Sequence, residues 1–367
     1  EAVQRHIAAK NVSGAVTLVA RRGRIAHFEA HGLQDIETKK PMPKNGIFRL
    51  ASMSKPITRV AVMMLVEEGK IRLNDAVSKF IPEFKGINKV AVPKPGAAGG
   101  AGAGGAGRGA PPSFDTVDAS REITIRDLLT HTSGLVSGGL GAATAPQRAE
   151  SDTLATYIPK LGSVPLDFQP GEKWNYSNPG YVTLGILIHK VTGKFYGDLL
   201  REKIFVPLGM TTARIIDEAD IIPNPADGYR LVDGALKNQE WVSPMLNTTA
   251  DGALYFTVLD MAKWDAALYS EKLLKRGSLD LMWTPAKLKD GKAVPMGYGF
   301  GWGTGDVRGH RFVRHGGGWQ GFSTHIVRYV DKKLTVIVLT NLAGTNAGAI
   351  ADGIAGLYEP EVAPEVI

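Results

Sequence analysis

The chain has 367 residues, of which 44% are hydrophobic and 22% charged, a composition typical of a globular protein with a sizeable core. It contains no cysteine, which excludes disulfides, thiol catalysis and cysteine-ligated zinc. The net charge of +7 comes from Lys and Arg residues spread along the chain, so we expect no nucleic acid partner. No apolar run approaches the ~20 residues of a membrane span. The numbering starts at Glu1 rather than at Met, so a leader peptide could precede this sequence. The sequence therefore leaves the compartment undecided between bacterial cytoplasm and periplasm.

Both ends of the chain predict strands. After a short N-terminal helix, AVTLVA and RIAHFEA show the β-branched and aromatic alternation of strands, with a turn at Arg22-Gly23. Near the C-terminus, FSTHIVRYVDKKLTVIVLTN predicts a second strand pair and AGAIADGIAGLYEP a helix. We therefore predict an α+β fold, an α/β sandwich with one antiparallel sheet flanked by helices and built from residues 1–75 and 255–367. A mostly helical domain, residues 76–254, would be inserted between these parts.

The inserted region begins with a segment of low complexity. Gly and Ala dominate residues 95–113, which predicts a mobile loop because few side chains there can be buried. Three helices are then predicted: one from Thr124 to Gly134, one in NPGYVTLGILIHKVTGK that ends at Gly193, and one in TVLDMAKWDAALYS.

The first candidate for chemistry is a serine and a lysine in FRLASMSKPITRV. Pro56 is tolerated only in the first turn of a helix, so the helix must begin close to Ser52. Residues three apart share a helix face, which places Lys55 rather than Ser54 beside Ser52. A partly desolvated lysine has a lowered pKa and can accept the serine proton. The alternative is a capping serine followed by a solvated lysine.

The second candidate is Tyr176-Ser177-Asn178, which lies in a loop before Pro179-Gly180. A phenol beside a cationic lysine ionises more easily and can carry protons, and an amide can hold both the lysine and a substrate carbonyl. The alternative is a loop tyrosine whose hydroxyl is simply hydrogen-bonded.

The third candidate is the glycine-rich segment that starts at His315 in RFVRHGGGWQGFSTHIV. Glycines beside a strand often mark the close approach of a ligand or another backbone, and the strand edge there can offer an N–H to an oxyanion. A plain glycine-rich hairpin is the alternative.

Taken together, the three segments resemble the serine hydrolases with a Ser-x-x-Lys motif. These are the class C β-lactamases, the related DD-peptidases and D-aminopeptidases, and the family VIII carboxylesterases. Further matching segments lie along most of the chain: TIRDLLTHTSGL, PGEKWNYSNPGYVTLGILIHKVTG, IFVPLGM, ADGALYFTVLDMAKW and HGGGWQGFSTHIV. The resemblance implies a cleft between an antiparallel sheet domain and a helical domain.

The resemblance also implies a role for each matching residue. Ser52 is the acylated nucleophile, Lys55 its base and Tyr176 the proton shuttle. Asn178 positions the lysine and the substrate, and the backbone N–H groups of Ser52 and Gly318 bind the oxyanion. The implied reaction is acyl transfer through an acyl-enzyme that water then hydrolyses.

One departure from the pattern bears on the substrate. His315-Gly316-Gly317 stands where β-lactamases of this superfamily usually carry Lys-Thr-Gly, which helps to bind the β-lactam carboxylate. Histidine supplies less fixed charge near pH 7, and Gly316 supplies no hydroxyl. His315-Gly316-Gly317 is a His-x-Gly segment, and it resembles the corresponding segment of some DD-peptidases and D-aminopeptidases and of many esterase-like members. This resemblance implies that His315 and Gly317 contact the substrate. The insertion after FIPEFKGINKVAV resembles the family VIII esterases.

Three functions follow as hypotheses. The first is a carboxylesterase for short-chain acyl esters with weak β-lactamase activity as a side reaction. The second is a D-aminopeptidase, DD-peptidase or class C-type β-lactamase, in which Arg308, Arg311 and Arg314 either hold a peptide carboxylate or form a solvated strand face. The third is a non-catalytic, penicillin-binding-like sensor. We expect a small-molecule ester or amide substrate, no cofactor and no metal, since the histidines show no His-Glu-x-x-His spacing.

Overall fold

The computed structural model describes residues 2–9, 11–94, 114–136, 161, 164–216, 219–239 and 249–364. The predicted mobile loop, residues 95–113, lies outside the described residues. The described helices are α1 (Ala2–Ala8), α2 (Lys55–Glu67), α3 (Ile125–Thr130), α4 (Asn178–Thr192), α5 (Tyr196–Leu200), α6 (Val258–Ala267), α7 (Arg276–Met282) and α8 (Ala347–Tyr358). The described strands are β1 (Gly14–Arg21), β2 (Arg24–Asp35), β3 (Lys40–Pro41), β4 (Phe48–Arg49), β5 (Lys89–Pro93), β6 (Phe114–Asp118), β7 (Arg214–Ile215), β8 (Tyr229–Val232), β9 (Ala235–Asn238), β10 (Leu254–Phe256), β11 (Gly303–Val307), β12 (His310–Trp319), β13 (Phe322–Tyr329) and β14 (Leu334–Thr340).

The main sheet joins the two ends of the chain. Its strand order is β11-β12-β13-β14-β1-β2-β3, and each neighbouring pair is antiparallel. At the centre, Leu18 of β1 lies opposite Ile337 of β14 and Phe28 of β2. This confirms the predicted antiparallel sheet built from both termini.

Both faces of this sheet are covered, which explains why β1 and β14 are apolar at nearly every position. Successive side chains of a strand point to opposite faces. Accordingly, Ala15 and Val19 pack in the cluster with α8, whereas Val16 and Leu18 pack in the larger core that includes α6. The sheet is therefore the middle layer between helices, as the sequence predicts.

Helix α2 runs through the larger core, with Lys55 and the eight residues after it all buried. It packs against α4, which also contacts α3. A central helix of this kind can hold a polar side chain away from water only if neighbouring elements supply hydrogen-bond partners.

The ends of these helices test the sequence predictions. Helix α3 begins as predicted, with a capping box between Thr124 and Asp127. It ends at Thr130 rather than at Gly134, because His131 takes a left-handed conformation with φ of 60°. Helix α4 ends at the predicted Gly193, which has φ of 73° and costs little in that conformation.

The division into two domains at residues 75/76 and 254/255 stays a prediction. A small sheet with the order β4-β10-β7 joins residues from both proposed parts. Two further antiparallel strand pairs, β5-β6 and β8-β9, accompany the helices of the inserted region. None of the described helices is both long and apolar enough to cross a membrane.

Candidate active site

Ser52 lies in a 3-10 turn, Ala51–Ser54, that runs directly into α2 at Lys55. Pro56 occupies the first turn of α2, as predicted, where a missing N–H leaves no helical bond unmade. The Lys55 Nζ atom lies 3.1 Å from the Ser52 Oγ atom. Ser54 points elsewhere and is fully buried, and its hydroxyl accepts a hydrogen bond from the Leu254 N–H at 3.2 Å. The structure thus places Ser52, and not Ser54, beside the lysine.

Two carbonyl groups fix the Lys55 side chain. Its Nζ donates to the Asn178 Oδ1 atom at 2.8 Å and to the backbone oxygen of Asp251 at 2.8 Å. A neutral amine has two N–H donors and one lone pair. With both donors held by carbonyl oxygens, the lone pair of neutral Lys55 faces Ser52 and can accept its proton.

Lys55 is fully buried, and burial lowers its pKa to about 8, against a smaller opposing effect of the Asp251 charge. Desolvation penalises the ammonium form because the protein interior solvates a charge less well than water does. A substantial fraction of the lysine is therefore neutral slightly above neutral pH. This agrees with the lowered pKa predicted from the sequence.

Tyr176 lies in the loop before α4, and the Lys55 Nζ atom is 4.7 Å from the centre of its ring. Burial raises the pKa of Tyr176 well above its usual range, and the Ser52 hydroxyl opposes this only in part. Its buried hydroxyl completes no well-aligned hydrogen bond with the described residues. Burial thus dominates the pKa of this phenol, and the role of Tyr176 as a proton shuttle stays a prediction.

Asn178 is the first residue of α4, where Ser177 caps the helix by accepting from the Gly180 N–H at 3.2 Å. Pro179 follows in the first turn. This helix start fixes the backbone of Asn178, so its side-chain oxygen can meet Lys55.

Strand β12 carries the glycines of the third segment against the turn that holds Ser52. A Cβ atom on Gly317 would lie 2.1 Å from the Leu50 oxygen and 3.0 Å from the Met53 nitrogen. Only glycine allows this approach of two backbones. Gly318 faces open space instead, and with Ser52 and Asn178 it lines a cavity of about 280 Å³. This acyl cavity, as we call it, has ten lining residues: Ala51, Ser52, Asn178, Pro179, Val182, Thr249, Asp251, Gly252, Gly318 and Trp319.

A second cavity of about 790 Å³, here the strand-edge cavity, lies along β12 and the start of α8. Its lining includes Tyr176, His315 and all three glycines of the segment. The two cavities share Gly318. An extended substrate can therefore lie along the strand with its reacting carbonyl near Ser52.

His315 lines the strand-edge cavity, but both of its ring nitrogens are already bonded within the protein. Its Nε2 lies 3.0 Å from the Tyr298 hydroxyl, and its Nδ1 lies 2.6 Å from the Gly316 carbonyl oxygen. Burial, together with the charge of Lys55, lowers the pKa of His315 to about 3, so the ring is neutral. The expected contact between His315 and substrate would require one of these bonds to break.

The hydrogen bonds of His315 belong to a longer series of hydrogen bonds that was not predicted from the sequence. The Ser177 N–H donates to the His131 Nδ1 atom at 3.0 Å, and the His131 Nε2 lies 3.3 Å from the Tyr298 oxygen. Since His131 Nδ1 is an acceptor, its Nε2–H donates to Tyr298, whose hydroxyl then donates to His315. This series of hydrogen bonds joins the loop of Tyr176 to strand β12.

Two sequence signals marked these residues without revealing their role. His131 stands in THTSGL directly after a capped helix, and Tyr298 stands in the glycine-flanked GYGFGW. A buried histidine pair needs hydrogen-bond partners, but sequence spacing does not tell which residues supply them. Burial, with the charges of Lys55 and Arg59, holds the pKa of His131 well below its usual range.

The three arginines near the third segment have separate environments. Arg311 donates to the Trp283 carbonyl, and Arg308 reaches the carbonyls of Pro360 and Glu361 at 3.4 and 3.3 Å. Arg314 lies in the strand-edge cavity, 3.5 Å from an Asp352 carboxylate oxygen. Of these three arginines, Arg314 is the one that lines the strand-edge cavity.

Within the described part of the chain, no group of three His, Asp or Glu side chains is arranged to hold a metal ion. The three candidate segments instead bring together a serine, a lysine, a tyrosine and backbone N–H groups. Such a set suits nucleophilic acyl transfer.

Comparison with known proteins agrees with this arrangement. The family model described as beta-lactamase matches residues 1–358. Penicillin-binding protein 4* of Bacillus subtilis is 29% identical over 90% of this chain and 69% of its own length. Esterase EstB of Burkholderia gladioli is 33% identical over 55% of this chain and 46% of its own length.

Among solved structures, the octameric penicillin-binding protein homologue from Pyrococcus abyssi superposes with a TM-score of 0.76 and 26% identity, over 97% of this chain and 75% of the other. Its fold is the same antiparallel sheet with helices. The chain therefore belongs to the beta-lactamase family and is one of its serine hydrolases.

Proposed function

We propose that this serine hydrolase is a carboxylesterase that forms an acyl-enzyme at Ser52 with short-chain acyl esters. The observation that carries the proposal is the geometry at Lys55. Its amine is buried, held by two carbonyl oxygens and 3.1 Å from the Ser52 hydroxyl. This arrangement is suited to take the serine proton as the serine attacks an ester carbonyl.

In the proposed mechanism, neutral Lys55 accepts the proton of Ser52 as the oxygen attacks. The backbone N–H groups of Ser52 and Gly318 stabilise the oxyanion of the tetrahedral intermediate. Tyr176 is a neutral phenol, so it acts as the proton donor to the departing alkoxide and regains a proton from the Lys55 ammonium. Water then hydrolyses the acyl-enzyme by the reverse proton movements.

The third segment supports an ester over a β-lactam as the main substrate. His315 is neutral and bonded to Tyr298 and Gly316, and Gly316 has no hydroxyl. This segment therefore offers neither a fixed positive charge nor a hydroxyl to a β-lactam carboxylate, and β-lactam hydrolysis is a weak side reaction. The 33% identity to a named esterase points the same way.

The test is hydrolysis of p-nitrophenyl acetate and butyrate by the wild type, Ser52→Ala and Ser54→Ala, with the acyl-enzyme followed by intact mass. We expect Ser52→Ala to lose activity and the acyl adduct. Ser54→Ala is the matched control, because its hydroxyl bonds Leu254 and not Lys55. Full activity of Ser52→Ala contradicts the assignment.

A peptidase or amidase is the second candidate, favoured by Arg314 in the strand-edge cavity, where it can hold a peptide carboxylate. Release of D-Ala from D-Ala-D-Ala peptides with negligible ester turnover supports this alternative. Nitrocefin in the same panel measures the β-lactamase activity. A protein that neither a fluorophosphonate nor a penicillin probe modifies covalently would instead be a sensor without catalysis.

A further inference from the structure

A third cavity, here the basic cavity, has a volume of about 610 Å³, which is within the range of sites for small organic ligands. Its walls come from residues 120–132, 170–171 and 281–289, together with Phe300. None of its lining residues also lines the acyl cavity or the strand-edge cavity. The proposed ester hydrolysis therefore gives this cavity no role.

The charges in the basic cavity do not balance. Among its lining residues, all of which the structure describes, Arg121, Arg126, Lys287 and Lys289 are cations and Asp127 is the one carboxylate. Arg121 neutralises Asp127, because its two Nη atoms lie 2.6 and 2.9 Å from the two carboxylate oxygens. The other three cations remain for a ligand.

Arg126 is the half-buried cation of this set. Its Nε donates to the Asn74 Oδ1 atom at 3.0 Å, and its guanidinium carbon lies 5.6 Å from the centre of the Phe300 ring. It forms no ion pair with any residue that the structure describes. Burial lowers the pKa of Arg126, against the opposing charge of Asp127. A partly desolvated cation without a counterion is unfavourable, so an anion bound beside it would be stabilised.

Lys287 and Lys289 bring two more positive charges to the same cavity. Lys287 forms a β-bridge with Ala293, so the chain is extended there, and residues two apart in an extended chain point to the same side. Exposed lysines are ordinary in a protein with a net charge of +7. Their convergence with a half-buried arginine in one cavity is what points to a ligand.

The walls of the basic cavity are held together without a ligand. The Lys289 N–H donates to the Gly171 carbonyl oxygen at 2.8 Å, which ties two of the walls to each other. Gly171 has φ of 84°, and a Cβ atom there would lie 2.7 Å from an Arg121 Nη atom. Asp127 holds Arg121 and also completes the capping box of α3, the helix that carries Arg126. A site formed in advance loses little conformational entropy when a ligand binds.

The lining also fixes the chemical class of the ligand. A phosphate monoester carries close to two negative charges at pH 7 and three acceptor oxygens, which suits a guanidinium with two lysines. Leu281, Leu288 and Phe300 add apolar surface to the same cavity. A ligand that uses both parts has a phosphate at one end and an apolar body at the other.

We propose that the basic cavity is a second ligand site, which binds a small phosphate monoester with an apolar or aromatic body. The phosphate lies between Arg126 and the two lysines, and the body packs on the leucines and Phe300. This site is independent of the proposed acyl-enzyme at Ser52.

The test is isothermal titration calorimetry with 1-naphthyl phosphate as the probe, and with inorganic phosphate and 1-naphthol as its two halves. We expect the wild type to bind the probe more tightly than either half. Arg126→Gln should weaken this binding by about 10-fold or more, and so should the double variant Lys287→Gln, Lys289→Gln. The double variant changes exposed side chains only, so its midpoint of thermal unfolding should equal that of the wild type and its loss of affinity would not reflect misfolding.

Arg314→Gln is the matched control, because it removes an equal charge from the strand-edge cavity. It should leave the affinity for 1-naphthyl phosphate unchanged. An affinity that falls in Arg314→Gln but not in Arg126→Gln would locate the probe in the strand-edge cavity and refute the inference. A wild type that does not bind the probe refutes it as well, and equal affinities for the probe and inorganic phosphate refute the apolar part of the site.

Discussion

Replacing Lys55 by methionine separates the catalytic and the energetic roles of this buried amine. Methionine fills a similar volume but carries no charge, so the variant should lose esterase activity. The fall of the lysine pKa from 10.5 to about 8 also means that the folded protein pays for the ammonium form. The free energy of unfolding of the wild type should therefore depend on pH in a way that the variant does not share.

The size of this effect follows from the same values. A shift of one pKa unit corresponds to about 1.4 kcal/mol, so the full difference is about 3 kcal/mol. Nearly all of this penalty is present at pH 7, and about 1 kcal/mol remains at pH 10. Between pH 8 and 10.5 the unfolded chain keeps a proton that the folded chain has lost, so stability rises with pH. The wild type should thus gain about 2 kcal/mol relative to Lys55→Met between pH 7 and pH 10.

The assay is urea-induced unfolding of both proteins at several pH values in that range. Lost hydrogen bonds to Asn178 and Asp251 shift the difference by a constant, and other titrating groups cancel between the variants. Lys289→Met, at an exposed lysine, is the matched control and should show no such trend. A difference between wild type and Lys55→Met that stays flat, or falls with pH, would show that Lys55 is not desolvated and would refute the reasoning.

Three further predictions concern the site and its support. Since neutral Lys55 is the proposed base, kcat/KM for an ester should rise tenfold per pH unit below about pH 8 and level off above it; a flat profile from pH 6 to 9 contradicts this. Gly317→Ala should abolish activity and lower the midpoint of thermal unfolding, because the new Cβ atom collides with the backbone beside Ser52. Gly318→Ala should leave that midpoint unchanged, because the space at its Cβ position is open. An equal loss of stability in both variants would refute the close approach. Asp265→Ala removes the carboxylate that accepts from the buried Arg328 guanidinium at 2.5 Å. The free energy of unfolding in urea should fall by about 3–5 kcal/mol, because a buried charge is left unpaired. A fall of less than about 1 kcal/mol would show that the pair is solvated.

Local patterns in the sequence were sufficient for much of the fold and for one part of the candidate site. Alternating apolar residues predicted the strands at both ends of the chain, because side-chain period and burial are properties of a short segment. Pro56 fixed the start of α2 and so placed Ser52, rather than Ser54, on the face of Lys55. The superfamily resemblance, carried by short motifs in a fixed order, supplied the grouping of the three segments.

Features that depend on contacts between distant segments could be determined only from the tertiary structure. The left-handed turn that ends α3 at Thr130 goes with the packing of His131 against Tyr298, and no pattern near residue 131 encodes that partner. Tyr176 is neutral because it is buried, and His315 is bonded to Tyr298 and Gly316 because the fold brings them together. Neither burial nor these partners can be read from the local sequence.

Asp251 shows the same limit most clearly. The sequence shows an aspartate at this position but not that its backbone carbonyl accepts from Lys55, nor that the residue lines a cavity together with Ser52. Periodicity and capping report the free energy of a residue among its chain neighbours. Desolvation, pKa and cavity charge depend on which remote groups surround a residue, and only the folded chain determines them.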